Sequence, residues 1–200
     1  TPVLVLDADD LRSRARDYVR AFTDPTGRTE VTIYYAGKAF LAAAVVAWLR
    51  DEGLGMDVCS GGELACVLAA GMPAERVLFH GNNKSRDELR AALVAGVGRI
   101  VVDSHDELYR LAALAHAEGV RAPVLIRVTL GVEAHTHEFI ATAHEEQKFG
   151  FSLASGSAAR AVRRAASHPN LEFLGVHSHI GSQIFVSSGF EVAAHRAVRV

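Results

Sequence analysis

Lys38 stands in the run Tyr34-Tyr35-Ala36-Gly37-Lys38-Ala39-Phe40, a lysine among small and apolar neighbours directly after a β-rich segment. Apolar enclosure at that place would favour the neutral amine, a nucleophile toward carbonyl carbon. The alternative is a strand-end lysine whose stem packs while its ammonium reaches water. Asp57 and Glu63 bracket Cys59-Ser60-Gly61-Gly62 and could stabilise a cationic ring or iminium. Glu63 suits the first turn of a helix equally well, where it complements the dipole. The N–H groups of residues 59–62 could cradle an anion at a helix start, or form a plain tight turn.

Further polar residues gather in the same kind of place. His80-Gly-Asn-Asn-Lys84, Asp103-Ser104, Arg127 and His177-Ser-His179-Ile-Gly-Ser182-Gln183 each follow or close a short apolar run. His179 could stack on a flat aromatic group, transfer a proton, or serve the fold alone. Gly181-Ser182 is a second candidate anion site. His135, His137 and His144 lie near Glu133, Glu138, Glu145 and Glu146, but no His-Glu-x-x-His spacing occurs. Cys59 and Cys66 lack a Cys-x-x-Cys spacing, so no metal is expected.

These residues need elements to position them, and the sequence supplies short β-rich runs alternating with Ala/Leu-rich helices. Strands are expected at residues 32–35, 56–59, 77–79, 100–102, 124–128 and 174–177, and helices at 9–22, 40–52, 62–70, 87–95, 106–118 and 157–166. A last helical stretch begins near Phe190. Leu11, Ala15, Tyr18, Val19 and Phe22 form one apolar stripe of the first helix. Gly53, Gly71, Gly96 and Gly119 sit where a left-handed residue ends a helix, while Asp87, Asp106 and Ser157 stand near helix starts. The first strands recur roughly every 22 residues, enough for a strand, a helix and two loops. The strands are continuously apolar, as when protein covers both faces. Either a (β/α)8 barrel or an open doubly wound sheet satisfies this pattern, and in both the carboxyl ends of the strands carry the ligand site.

Composition narrows the function classes. Half of the 200 residues are apolar, 22% are charged and the net charge is -2, which gives no footprint for nucleic acid or an anionic membrane. The longest apolar run, Ala39 to Leu49, spans 11 residues, too short to cross a bilayer. Two cysteines exclude a disulfide framework and point to a reducing, cytoplasmic setting. With no initial methionine and a helical stretch running up to Val200, the chain reads as part of a longer polypeptide.

Five blocks in order carry a resemblance across essentially the whole chain. Tyr35-Ala-Gly-Lys38-Ala, Asp57-Val-Cys-Ser-Gly-Gly-Glu63-Leu, His80-Gly-Asn-Asn-Lys84-Ser and Gly175-Val-His-Ser-His179-Ile-Gly-Ser182-Gln are similar to motifs of the fold-type III pyridoxal-phosphate decarboxylases. Glu133-Ala-His-Thr-His-Glu-Phe-Ile-Ala-Thr142, followed by Gln147-Lys-Phe-Gly150, resembles the branch acting on diaminopimelate.

The resemblance implies an α/β (β/α)8 TIM-type barrel, incomplete here with about six βα units, the 200 residues forming one partial cofactor-binding domain without the family's C-terminal β-sandwich. It implies pyridoxal 5'-phosphate held by Lys38, with His179 stacked on its ring, Ser182 near its phosphate, and Asp57, Glu63 and Arg127 lining the site. It further implies decarboxylation of meso-diaminopimelate to L-lysine and carbon dioxide, in a cytoplasmic homodimer with shared active sites completed by a partner cysteine. Two alternatives stay open: a decarboxylase of another basic amino acid on the same scaffold, and a protein that binds the cofactor without turnover.

Overall fold

A computed structural model describes residues 2–3, 5–23, 26, 31–131, 149–181 and 187–199, which group into two compact units. The first comprises residues 1–80 and 95–98, the second residues 81–94 and 99–200.

In the first unit, α1 (Ala8–Ala21) precedes β1 (Tyr34–Ala36), α2 (Ala43–Asp51), β2 (Gly55–Val58), α3 (Gly61–Ala69) and β3 (Val77–Phe79). The Asp7 carboxylate starts α1 by accepting from the N–H groups of Asp9 and Asp10. The three strands run parallel, Ala36 pairing with Asp57 and Val58 with Phe79, so their carboxyl ends are level. Val45, Val46 and Leu49 of α2 and Leu64 and Val67 of α3 are buried, as are Met56, Val58, Val77 and Phe79. Burying each such side chain contributes about 1.5–3 kcal/mol. Gly98 permits the tightest approach here, since a Cβ on it would fall 2.0 Å from the Glu75 carbonyl oxygen.

The second unit contains α4 (Arg86–Ala95), β4 (Arg99–Val102), α5 (His105–Ala117), β5 (Ala122–Thr129), β6 (Phe151–Ser152), α6 (Ser157–Ser167), β7 (Leu171–His177) and α7 (Ser188–Ala197). β5 pairs in parallel with β4, β6 and β7. Along β5 the buried residues Ala122, Val124, Ile126 and Val128 alternate with half-buried Pro123, Leu125, Arg127 and Thr129. One face is thus covered by protein, and the other presents Arg127. The β5–β7 register runs from Val124–Phe173 to Leu125–Gly175, leaving Leu174 as an extra residue that bulges β7. Gly175, at φ +147°, absorbs the turn of the backbone there.

The expected helices and strands are present, with shifted ends. Gly53, Gly71, Gly96 and Gly119 all have positive φ, as helix-ending residues should. The helix starts differ from expectation. Asp106 lies inside the first turn of α5, because Ser104 is the cap and accepts from the Glu107 N–H. Ser157 is the first residue of α6, capped by left-handed Gly156. Ser85 and Glu88, rather than Asp87, begin α4, each side chain accepting from the other's backbone N–H. Helix α2 begins at Ala43 because Gly37–Ala39 form a separate 3-10 turn and Phe40 and Ala42 are extended. Strand β7 starts at Leu171, earlier than expected, the bulge having disguised its alternation.

Candidate cofactor site

Lys38 lies on the 3-10 turn immediately after β1, at the carboxyl end of the first unit's strands. Gly37 lets this turn press on β2: a Cβ there would lie 3.1 Å from the Asp57 carbonyl oxygen and 3.6 Å from Glu63 Oε2. The Tyr35 hydroxyl spans the turn to donate to the Phe40 carbonyl at 3.2 Å. Burial pushes that phenol up, keeping it a protonated donor. The expected apolar enclosure of Lys38 is not found. Its side chain is exposed, because the turn directs residues 38–40 outward beyond the strand end.

Asp57 and His80 end neighbouring strands and meet in a short contact between Asp57 Oδ1 and His80 Nδ1. The His80 N–H, donating to the Val58 carbonyl at 2.7 Å, extends the β2–β3 ladder by one step and fixes the imidazole at that level. The motif reading placed His80 at a strand end but did not assign it to Asp57; the parallel register that joins them is a tertiary fact.

Glu63 takes the helix-turn role weighed above. Its Oε2 accepts from the Cys59 N–H at 2.7 Å, while the Ser60 hydroxyl accepts from the Glu63 N–H at 3.2 Å. This reciprocal cap uses the N–H groups of Cys59 and Glu63 at the N-terminus of α3.

In the second unit, Arg127 Nη1 lies 3.3 Å from Asp103 Oδ1, and its guanidinium sits 4.4 Å from the centre of the Phe149 ring. Arg127 and His177 are partners in the β5–β7 register. Beyond β7, exposed His179 joins Leu130, Ser178, Gly181, Phe190 and Ala193 around a cleft of about 220 Å³. The Ser178 hydroxyl in its wall is buried and has no hydrogen-bond partner among the described residues. Ser182, Gln183, the Glu133–Thr142 block and His135, His137 and His144 lie outside the described residues.

Taken unit by unit, the residue types suit a phosphorylated aldehyde. The first unit has an exposed primary amine at Lys38, the Asp57 and Glu63 carboxylates and the His80 imidazole. The second has the Arg127 guanidinium and, separately, the His179 imidazole at an apolar cleft.

Comparison with known proteins gives one consistent result. The sequence is 56% identical over 198 residues to diaminopimelate decarboxylase of Mycobacterium bovis, covering 99% of this chain and 43% of that protein. Against the diaminopimelate decarboxylase of Bacillus subtilis the identity is 47%, covering 98% and 44%. The chain therefore spans less than half the length of these relatives. Diaminopimelate decarboxylase from M. jannaschii, solved with L-lysine, superposes with TM-score 0.88 at 30% identity over 100% of this chain and 46% of that one. Lysine/ornithine decarboxylase from Vibrio vulnificus, solved with putrescine, gives TM-score 0.77 at 26% identity, covering 100% and 47%. The fold is accordingly α/β of the TIM-barrel type, resolving the choice that periodicity left open. Residues 8–200 match the family described as the pyridoxal-binding domain of pyridoxal-dependent decarboxylases, and the chain belongs to that family.

Proposed function

We propose that Lys38 is the attachment residue for pyridoxal 5'-phosphate, and that the full-length protein decarboxylates meso-diaminopimelate to L-lysine. The observation that carries this is exposed Lys38 on a tight turn at the carboxyl end of parallel strands, a turn whose Gly37 packs against the Asp57 carbonyl and Glu63. Ligands of α/β folds gather at that end. The family match over 8–200 supports reading these residues as one cofactor-binding domain. The named relatives at 47–56% identity support the substrate.

Bound there, the cofactor ring supplies a sink for the electron pair left when a carboxylate departs. Lys38 would hold the cofactor through its side-chain amine, and the same amine would be the group placed to carry a proton. Asp57, held by His80, would be a carboxylate lining the cofactor site. Arg127 would bring a cation for the cofactor's acidic groups, His179 a flat face for its ring, and Ser182 a hydroxyl for its phosphate. Among the described residues no helix is long and apolar enough to cross a membrane. A chain with only two cysteines fits a reducing cytoplasm. A homodimer with shared sites completes the proposal.

Borohydride treatment of full-length holoprotein, followed by peptide mapping, should leave the pyridoxyl group on Lys38. Its recovery on another lysine removes the assignment. A panel of meso-diaminopimelate, lysine, ornithine and arginine should release carbon dioxide fastest from the first. Faster release from ornithine would favour the V. vulnificus-like reading, and no release from any would favour a cofactor-binding protein without turnover.

A further inference from the structure

Three charged side chains, Lys84, Asp103 and Glu107, are the ones buried among the described residues, at 3%, 6% and 3% exposure, and they form a single connected group. Lys84 Nζ lies 2.6 Å from Glu107 Oε1 and donates to the Val101 carbonyl at 2.8 Å and to the Gly81 carbonyl. Glu107 Oε2 accepts the Asp103 N–H at 3.0 Å. Asp103 then uses both carboxylate oxygens, Oδ1 facing Arg127 and Oδ2 accepting the Gly150 N–H at 2.9 Å. The chain runs cation, carboxylate, carboxylate, cation and is neutral as a whole.

Such a group is a poor way to gain stability. Removing charges from water is costly, and apolar packing of the same volume generally serves as well or better. Burial pushes the Glu107 carboxyl up despite the opposing pull of Lys84. What the group achieves is geometric. It ties the loop before α4, the end of β4 and the start of α5 to one guanidinium on β5. Arg127, partly exposed, is the member through which the buried charges reach the open face of the strand.

We infer that Lys84, Glu107 and Asp103 are positioning residues that fix Arg127 for the cofactor. The inference rests on the proposed assignment of Arg127 to the cofactor site. The strand alternation sends the Arg127 side chain to the open face, but its long stem leaves the guanidinium many rotamers. Asp103 selects among them, and Glu107 and Lys84 hold Asp103.

The test is a double-mutant cycle on the full-length protein, with the dissociation constant of pyridoxal 5'-phosphate as readout and thermal unfolding recorded beside it. Glu107→Gln and Arg127→Met should each weaken cofactor binding about tenfold, the size of one lost charge-assisted hydrogen bond. The double variant should bind no more weakly than Arg127→Met alone, because Glu107 acts through Arg127. Asp103→Asn, in the same cycle, replaces Glu107→Gln if that variant does not fold. Losses that multiply in the double variant, or unchanged affinity in Glu107→Gln with only a lowered melting temperature, would overturn the positioning role while leaving Arg127 in the site. Unchanged affinity in Arg127→Met would sink both that assignment and this inference. Failure of the wild-type protein to bind the cofactor at Lys38 would sink the functional proposal itself.

Discussion

A carboxyl group that burial disfavours as an anion makes folding depend on pH in a definite direction. Glu107 is held above its ordinary value, burial being the larger cause and Lys84 opposing it. The folded state then keeps its proton to higher pH than the unfolded chain does. Between the unfolded and folded values the native state binds more protons, so Glu107's contribution to stability is present at low pH and declines as pH rises. Glu107→Gln removes this term. Urea denaturation in steps upward from pH 4.5 should show a variant-minus-wild-type stability difference that shifts in the variant's favour as pH rises. A pH-independent difference would show that Glu107 is not raised. At this scale the sequence made the placement of several candidate residues legible. Lys38, Asp57, Arg127 and His179 sit at strand ends where polar side chains have few structural duties. Lys84 was visible as a motif residue, but nothing in a string of letters says that a lysine between asparagine and serine is buried on carbonyls and a carboxylate 23 residues away. The pairing of Asp57 with His80 was hidden for the same reason, since it depends on strand register.

The elements show one local device used twice. After β2, Ser60 caps α3 and Glu63 reaches back to the Cys59 N–H; after β4, Ser104 caps α5 and Glu107 reaches back to the Asp103 N–H. In both, a serine followed three residues later by glutamate turns a strand into a helix within two residues. Ser60→Ala and Ser104→Ala should each cost about 1 kcal/mol, read as a lower denaturation midpoint with unchanged slope. The Ser-x-x-Glu spacing stands in the sequence, but Asp106 in the first turn of α5 is as plausible a cap by residue type as Ser104, and only the backbone geometry distinguishes them. The helix-ending glycines Gly53, Gly71, Gly96 and Gly119 are legible because a glycine with positive φ has little other reason to stand there. Strand β7 was shortened in the reading because an extra residue breaks the period-two pattern on which strand recognition depends.

For the whole molecule, the resemblance to relatives more than twice as long sets the decisive experiment beyond a single chain. If active sites are shared between two copies, a full-length Lys38→Ala protein and a full-length protein altered at the partner-supplied cysteine should each lack turnover alone. Mixing them under exchange conditions should restore measurable carbon dioxide release through hybrid dimers. No recovery, with exchange verified by mass, would mean that each copy builds its site alone. The parity of β7 bears on the same question of what can be changed without loss. Downstream of Leu174 every side chain points to the face opposite the one an unbroken strand would give it. In an unbroken β7, Leu174 would stand against Leu125 and His177 against Val128, on the covered face of β5; the extra residue is what brings Gly175 level with Leu125 and His177 level with Arg127. A leucine that buries little and touches no reactant thereby governs which side of the sheet the chemistry can occupy.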